Sequence, residues 1–307
     1  MGVWIDTDMG FDDLAAIMVV AHGGLAIDGI SLVLGNAPLD QVRRNAAGAA
    51  AAFVWPFPIH AGRAKPVLGK LETAVSILSD AGMPTAGEAL PAGPDTFVED
   101  AFEALCSWLE RSEGERRILA LGPLTNIAAV ALARPDLAVK ITDLTWMGGG
   151  LTAGNHTASA EFNAFADPEA VAIVLAHGIP FRMVDLDLCR KVLCAPEDVE
   201  PVRSAGGRNA TLLADLLAGF VSIATSRGRK AMSLYDAVAA VAFVQPDLAT
   251  WQDARIDMEL TGSHTRGRTV VETRAGKAKF NAQFAADIDA AKAKQSILDA
   301  LKAEASW

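Results

Sequence analysis

Short apolar segments alternate with amphipathic ones along most of this chain, and this alternation limits the fold more than any other feature. Short buried strands are predicted at residues 3–5, 30–34, 58–61, 117–121, 141–147 and 180–187. The strand–helix unit recurs about six times, which implies parallel strands joined by right-handed crossovers. We therefore predict an α/β fold with an open, mostly parallel, doubly wound sheet that carries helices on both faces.

Helical segments fill the intervals between these strands and continue after them. Helices are predicted at residues 14–21, 38–53, 95–112, 124–132, 167–176, 209–225, 235–243 and, facing solvent, 285–302. Residues 255–260 and 269–273 alternate like an antiparallel pair and predict a small antiparallel edge near the C-terminus. Residues 65–94, rich in Gly and Pro, predict a surface excursion of the length typical of lids and binding loops, with a helical patch at 73–79. Neither a repeat nor a break in composition divides the chain, so residues 1–307 are predicted to form one domain.

Composition excludes several classes of protein. The formal net charge of -10, without a basic run that interleaves aromatics, argues against nucleic acid as a partner. The longest apolar run, residues 46–55, is too short to span a bilayer, and the N-terminus lacks the basic flank of a secretory signal. We therefore expect no membrane association and a cytoplasmic location. The three cysteines form no C-x-x-C pair, so buried free thiols are expected rather than disulfides or a zinc site.

Four carboxylates lie within eight positions where the first strand gives way to the first helix: Asp6, Asp8, Asp12 and Asp13. Any one of them can be explained as a helix cap or as an acid that favours the helix dipole. Two acids suffice for those roles, however, and Gly10 between the pairs suggests a tight turn. Carboxylates this close repel one another, so a cation, or a proton shared between two of them, is expected to compensate their charge.

Ligands of doubly wound sheets bind beyond the carboxyl ends of the strands. The residues predicted at those ends are Asp6, Asp8, Asn36, Gly62, Leu121, Gly122, Met147, Gly148, Asp185 and Asp187. Oxygen donors without sulfur or clustered imidazole suit Ca²⁺ or Mg²⁺ better than zinc. A cation held this way can bind a substrate diol and lower the pKa of a water, and a neighbouring carboxylate can act as base. The residues therefore predict a hydrolase that acts on a polyol-bearing substrate.

The segment Asp6-Thr7-Asp8-Met9-Gly10-Phe11-Asp12-Asp13 resembles the D-x-D-x-G-x-D-D signature of the nucleoside hydrolases, the family of purine and pyrimidine nucleoside N-ribohydrolases. Further segments resemble blocks of that family in the family's order: Gly35-Asn36-Ala37-Pro38-Leu39 with Asn45, Leu121-Gly122-Pro123-Leu124-Thr125-Asn126, Met147-Gly148-Gly149, Glu161-Phe162-Asn163 followed by Asp167-Pro168-Glu169-Ala170, and Tyr235-Asp236-Ala237-Val238-Ala239. Together they extend over roughly the first four fifths of the chain, and ordered blocks are far more specific than a lone D-x-D.

The resemblance implies a role for each matched residue. The ligands of a Ca²⁺ ion would be the carboxylates of Asp8, Asp13 and Asp236 and the backbone carbonyl of Leu121. Asp8 would also be the general base, and Asp6 would support the site from behind. The substrate would be a nucleoside, held at its ribose by Asp12, Asn36, Met147, Glu161, Asn163 and Asp236. The resemblance also suggests a homodimer or homotetramer.

One position departs from the best-known pattern of the family. Many members have His before the Asp that matches Asp236, and that imidazole protonates the leaving base, whereas this chain has Tyr235. The segment Ile77-Leu78-Ser79 likewise lacks the His of the family's I-H-G. Tyr235 can stack on the base or donate a hydrogen bond from its phenol, or can simply be a buried tyrosine that caps a helix. We predict Tyr235 as catalytic and purines as the preferred bases. His156 is an alternative acid, or else a solvated loop histidine.

Two other functions fit part of the pattern. Haloacid-dehalogenase-like phosphatases use a strand-end D-x-D with Mg²⁺ and would make Asp6 the nucleophile, but that leaves Asp12, Asp13 and Asn36 unexplained. A calcium-dependent protein that binds nucleosides or ribose without cleaving them would account for the missing His. Release of inorganic phosphate would favour the first function, and binding of inosine without release of hypoxanthine would favour the second.

Overall fold

The computed structural model describes residues 2–94, 97, 100–111 and 113–307. The strands of this part of the chain are β1 (Gly2–Thr7), β2 (Ala26–Leu32), β3 (Ile59–Ala61), β4 (Arg117–Ala120), β5 (Asp143–Met147), β6 (Phe181–Val184), β7 (Leu193–Cys194), β8 (Met232–Ser233), β9 (Ala249–Met258), β10 (Thr269–Glu272) and β11 (Ala282–Ile288). The α-helices are α1 (Phe11–His22), α2 (Leu39–Phe53), α3 (Val75–Leu78), α4 (Ala101–Arg111), α5 (Thr125–Ala133), α6 (Pro135–Ala138), α7 (Phe162–Ala166), α8 (Pro168–Ala176), α9 (Leu186–Cys189), α10 (Val199–Arg203), α11 (Ala210–Thr225), α12 (Tyr235–Val244) and α13 (Ala290–Ala305). Short 3-10 turns occupy Pro196–Asp198 and Pro246–Leu248.

The main sheet has the strand order β10-β9-β11-β6-β5-β4-β1-β2-β3 among the described residues. From β3 to β11 neighbouring strands run parallel, whereas β9 is antiparallel to both β11 and β10. The short strands β7 and β8 pair separately. The predicted fold class is confirmed: an open, mostly parallel α/β sheet with an antiparallel edge near the C-terminus.

Both faces of the sheet are buried, and β1 shows how the sequence achieves this. Val3 and Ile5 belong to the hydrophobic core that also contains residues of α1, α11, α12 and α13. Trp4, between them, belongs to the opposite core, built with α4, α5 and α8. Because side chains alternate across a strand, a central parallel strand needs apolar residues at every position. The continuous apolar run at residues 3–5 meets that need.

Several predicted boundaries differ from the structure. The helix predicted at 285–302 is wrong in its first residues, which belong to β11, and α13 begins only at Ala290. The chain stays extended there because β11 pairs with both β6 and β9 and buries Phe284, Ala285 and Ile288. The helix is not solvent-facing throughout, since Ile297 and Leu301 are fully buried.

Three further predictions need correction or restriction. The strand predicted at 180–187 ends at Val184, because Asp185 accepts a hydrogen bond from Leu188 N and so caps α9. Pro38 precedes α2 as its cap rather than lying in its first turn. Of the helix predicted at 95–112, residues 101–111 are α4, and residues 95, 96, 98, 99 and 112 lie outside the described residues.

Two expectations from composition can be compared with the structure. Cys106, Cys189 and Cys194 are buried and free, as predicted. In the described ranges, no helix combines the length and the apolar character needed to cross a lipid bilayer.

Candidate active site

The carboxyl ends of β1, β4 and β5 and the N-termini of α1 and α12 meet at one cavity of about 360 Å³. This is the edge of the sheet at which the sequence predicted ligand binding. The predicted site residues that line the cavity are Asp8, Asp12, Asn36, Leu121, Met147, Glu161, Asn163, Tyr235 and Asp236. Asp13 is fully buried, and its carboxylate adjoins those of Asp12 and Asp236. The structure therefore brings together the predicted metal, catalytic and substrate-binding residues, whereas the strand-end residues Asp6, Gly62, Gly122, Gly148, Asp185 and Asp187 do not line the cavity.

We call the carboxylates of Asp8, Asp12, Asp13 and Asp236 the acidic floor of the cavity. Oxygen atoms of Asp12, Asp13 and Asp236 lie within 4.8 Å of one another, an arrangement that could hold a metal ion. Asp12 thus joins this group, although the resemblance assigned it to ribose. All four side chains are buried, with exposed fractions from 0% to 8%.

Hydrogen bonds fix two of these carboxylates. Asn36 donates to both oxygens of Asp8, from its backbone N–H to Oδ2 and from Nδ2 to Oδ1, each at 2.7 Å. Asp13 accepts from Gly10 N at 2.7 Å and from the hydroxyl of Thr7. Neither carboxylate can rotate without breaking these bonds, so the floor is preorganised.

The backbone between the two acidic pairs explains this arrangement. Met9 has a φ of 53°, in the left-handed region that side chains seldom adopt, and its N–H donates to Thr7 Oγ1 at 3.1 Å. Gly10 itself is extended, so the prediction that Gly10 makes the tight turn is wrong. Glycine is needed there because a Cβ would lie 2.5 Å from Asn36 Nδ2.

The carboxyl groups of the floor are buried together without a cationic partner among the described residues. Burial raises the pKa of Asp8 and Asp236 well above the usual range, and the neighbouring carboxylates add to both shifts. Burial, followed by the charge of Asp13, raises the pKa of Asp12 to about 8. No Lys, Arg or His from the described ranges forms a salt bridge with these acids. A buried cluster of oxygen donors without a countercharge has the chemistry of a site for a hard cation.

Asp6 lies outside the cavity lining. Its Oδ1 accepts from Asn126 Nδ2 at 2.7 Å and from the hydroxyl of Ser31, its partner in the register of β1 and β2. Its Oδ2 is buried and accepts no hydrogen bond from any residue that the structure describes. Burial raises the pKa of Asp6 to about 7. These contacts favour a supporting position, and they give Asp6 no access to a substrate such as a phosphatase nucleophile needs.

Glu161 and Asn163 form a second polar wall. Glu161 caps α7 and accepts from Asn163 N, Ala164 N and Gly149 N at 2.8, 3.0 and 2.8 Å. Burial, partly offset by these bonds, raises its pKa to about 7. Asn163 Nδ2 donates to the carbonyls of Leu121 and Met147 at 2.8 and 3.0 Å. The Leu121 carbonyl keeps a second lone pair for another partner.

The buried apolar side chains of Phe220, Ile223 and Met232 and the half-buried Tyr235 also line the cavity. A further set of lining residues is exposed or half-buried, and we call this set the rim: Thr73, Ala74, Ser76, Ile77, Leu78, Gly154, Asn155, His156, Arg190, Arg227 and Arg229. The predicted excursion at 65–94 thus contributes to the cavity. His156 is exposed, with its ring centroid 4.6 Å from that of Phe165.

The sequence reasoning missed several of these residues. Phe220 and Ile223 looked like the core of a helix, and nothing in their spacing distinguishes a cavity wall from a packed interior. Arg227 and Arg229 did leave a signal, since the segment 227–230 reads Arg-Gly-Arg-Lys in an acidic chain. The supporting role of Asn126 was also missed, although its block was noted.

Known proteins share this architecture. The family described as "Inosine-uridine preferring nucleoside hydrolase" matches residues 3–295. The pyrimidine-specific ribonucleoside hydrolase RihB of Escherichia coli O157:H7 is 30% identical to the chain, over 87% of it and 86% of that protein. The purine-preferring ribonucleoside hydrolase from Gardnerella vaginalis has a TM-score of 0.91 at 24% identity, covering 100% of the chain and 99% of its own. The plant nucleoside hydrolase PpNRh1 has a TM-score of 0.90 at 23% identity, covering 98% and 99%.

Proposed function

Since this chain belongs to the inosine-uridine preferring nucleoside hydrolase family and is a nucleoside N-ribohydrolase, we propose that it depends on calcium and prefers purine ribonucleosides. The observation that carries this proposal is the acidic floor, in which buried carboxylates without a countercharge face a cavity large enough for a small ligand. Family membership does not support the phosphatase alternative.

Calcium suits the floor because the donors are hard oxygens. Burial and the neighbouring carboxylates raise the pKa of Asp8 and Asp236, and a bound cation offsets both effects. Asp8, Asp13 and Asp236 would hold the ion through their carboxylates, and Leu121 would hold it through its carbonyl. The bound ion supplies positive charge that attracts hydroxyl oxygens and makes water more acidic. A metal site of this kind also explains why the chain tolerates several buried acids side by side.

The predicted site residues then have roles in cleavage of the C1′–N bond. Asp8 accepts the proton of the attacking water, and Asn36 aligns its carboxylate for that task. Asp12 and Asn36 bind ribose hydroxyls, and Glu161, Asn163 and Met147 bind the 5′ side of the sugar. As the bond breaks, the sugar acquires oxocarbenium character, which the surrounding carboxylates stabilise.

A purine preference is supported by the aromatic and apolar side of the cavity. Tyr235 is half-buried beside Phe220 and Ile223, so its ring offers a face on which a bicyclic base can stack. The relative RihB is named as pyrimidine-specific and the Gardnerella enzyme as purine-preferring, so both base classes occur among the similar proteins. Tyr235, which replaces the histidine acid of many relatives, distinguishes this site.

The family resemblance also supports a homodimer or homotetramer. Light scattering of the purified chain measures its mass in solution directly. A monomer at micromolar concentration would contradict the proposed assembly.

A reducing-sugar assay over a panel of nucleosides tests the proposal as a whole. We expect faster hydrolysis of inosine and guanosine than of uridine and cytidine, loss of activity with a chelator, and recovery with Ca²⁺. Faster cleavage of uridine would overturn the purine preference. Full activity in excess chelator would overturn the calcium dependence, and calcium-dependent binding of inosine without release of hypoxanthine would overturn catalysis.

A further inference from the structure

The cavity has opposite charges at its two ends. The acidic floor lies at one end, whereas three guanidinium groups line the rim: Arg190, Arg227 and Arg229. With Lys230, the segment 227–230 places three cations in four residues of a chain whose net charge is -10. Positive charge concentrated at the mouth of a cavity attracts anionic ligands and holds them there. The catalytic roles proposed above use none of these arginines.

Arg229 lies in the segment that joins α11 to α12, which begins at Tyr235, and Arg190 lines the same cavity. Burial and the Asp12 carboxylate raise the pKa of the Tyr235 phenol, while the charges of Arg229 and Arg190 act in the opposite direction. Tyr235 lines the same cavity as the acids of the floor and the cations of the rim. Its ring is the proposed stacking surface for the base, so the arginines lie on the base side of the cavity.

The two guanidinium groups are held differently. Arg190 donates to the carbonyls of Ala153 and Gly154 at 3.1 and 3.2 Å and lies 3.5 Å from Asp187, so its position is fixed. Arg229 is exposed and forms no salt bridge with a residue in the described part of the chain. One cation is thus preorganised and another is free to contact a ligand.

We propose that Arg229 and Arg190 bind an anionic nucleobase, so that the enzyme favours ribonucleosides whose base is acidic enough to ionise near neutral pH. This inference rests on the proposed hydrolase function and specifies its substrate class. When the C1′–N bond breaks, its electron pair stays on the base nitrogen, and the water oxygen bonds to C1′. Asp8 takes the proton of the water and releases it to solvent. A base that is already a monoanion would become a dianion, so it takes one proton from solvent as it leaves, and the arginines stabilise the monoanion that results.

An anionic group could instead be a phosphate on the ribose, but the surroundings favour the base. Arg227 and Arg229 lie between Phe220 and Met232 in the chain, and all four line the cavity with Tyr235. The two apolar side chains and the Tyr235 ring suit a flat base. The 5′ side of the sugar is assigned to Glu161, whose negative charge would repel a phosphate. The two sources differ in where the charge lies on the nucleoside, and substrates can separate them.

The test compares xanthosine, whose base loses a ring proton near neutral pH, with inosine, which stays neutral and differs by one oxo group. We expect the ratio of kcat/KM for xanthosine to that for inosine to fall about five-fold in Arg229→Gln. Arg229→Lys should restore most of the ratio. Arg274→Gln is the matched control, because Arg274 is exposed and lies outside the cavity. Added salt should lower the ratio of the wild type and leave that of Arg229→Gln nearly constant.

The outcomes separate this inference from the function on which it rests. A ratio that is equal in wild type and Arg229→Gln would overturn the role of the rim while inosine hydrolysis still confirms the enzyme. Faster cleavage of inosine 5′-monophosphate than of inosine, lost in Arg229→Gln, would assign the arginines to a phosphate and overturn the base assignment. If neither xanthosine nor inosine is hydrolysed, the proposed function fails, and the inference fails with it.

Discussion

The acidic floor and the rim line the same cavity, yet the fold builds them in different ways. Three of the four floor residues, Asp8, Asp12 and Asp13, come from one strand–helix turn, and all are buried. The rim is assembled from segments far apart in the chain and is exposed or half-buried. Chemistry that depends on sub-ångström placement needs a rigid, contiguous element, whereas choice of substrate can be made by loops. We therefore expect floor substitutions to abolish turnover and rim substitutions to change which nucleoside is preferred.

The largest effect is expected from Asp13→Ala in the floor. Removing this carboxylate deletes a proposed calcium ligand and should lower kcat/KM about 10³-fold, since metal contributions to catalysis are several kcal/mol. Calcium should raise the Tm of the wild type and leave that of the variant unchanged, because only a protein that binds the ion is stabilised by it.

Asp40→Ala is the control for this substitution. Asp40 is likewise an acid in the first turn of a helix, but it is exposed on α2 and does not line the cavity. The control should keep both activity and the calcium response. If calcium raised the Tm of wild type and Asp13→Ala equally, the assignment of the floor as the metal site would be wrong.

A smaller but still large effect is expected from Gly35→Ala. A Cβ at Gly35 would lie 1.9 Å from Asp8 Oδ2, so the Asp8 carboxylate must move. A displacement of about 1 Å in a catalytic group costs about 10²-fold in rate, and kcat should fall accordingly. Gly276→Ala provides the control, because no atom lies within 4 Å of a Cβ there. If both variants turn over at the wild-type rate, the placement of Asp8 does not limit catalysis.

Tyr235 marks the boundary between floor and rim, and its substitution sharpens the comparison. Tyr235→Phe keeps the ring, so we expect inosine hydrolysis within about three-fold of the wild type if stacking is the contribution. Tyr235→Ala removes the ring and should cost about ten-fold in kcat/KM, the upper range for an aromatic contact. Steady-state kinetics of both variants on inosine decide the matter. A large loss in Tyr235→Phe would assign the effect to the phenol instead.

The floor and the rim also differ in how well the sequence predicted them, because the floor comes mostly from one strand–helix turn and the rim from distant segments. Three of the floor's acids, Asp8, Asp12 and Asp13, could be predicted because they lie close together in the sequence, directly after a short apolar strand. The parallel strands on either side of β1 could be predicted because each is a run of apolar residues. The strand β11 could not, since its Ala-rich sequence favours a helix and only pairing with β6 and β9 keeps it extended. The short helices α7 and α9 were missed because each begins at a capping carboxylate, Glu161 or Asp185, inside a segment read as loop or strand.

The rim residues could not be predicted from local sequence patterns, for a different reason. Its residues meet only because loops after several strands converge, and no spacing in the sequence encodes that convergence. The Arg-Gly-Arg-Lys segment was detectable as a charge anomaly, but its position at the cavity mouth depends on the packing of α11 and α12. Buried catalytic residues are therefore easier to predict from a sequence than exposed residues that contact the substrate.

The smallest effect is expected from substitution of Arg268, a residue outside the cavity lining that stabilises part of the rim. Arg268 does not line the cavity, yet its guanidinium donates to the carbonyls of Thr152 and Leu151 at 2.7 and 3.1 Å and to that of Ser159 at 3.4 Å. It thus joins both ends of the loop that carries Asn155 and His156 into the rim. A loosened loop must be ordered by the substrate, which costs binding energy but leaves the bound chemistry intact.

Arg268→Ala should therefore raise KM for inosine about three-fold, with kcat and the calcium response close to those of the wild type. Arg255→Ala is a suitable control, since Arg255 lies on β9 of the same edge and pairs only locally with Asp257. A fall in kcat without a change in KM would show that the loop acts on the floor itself. The separation between a rigid floor and an adaptable rim would then no longer describe the site.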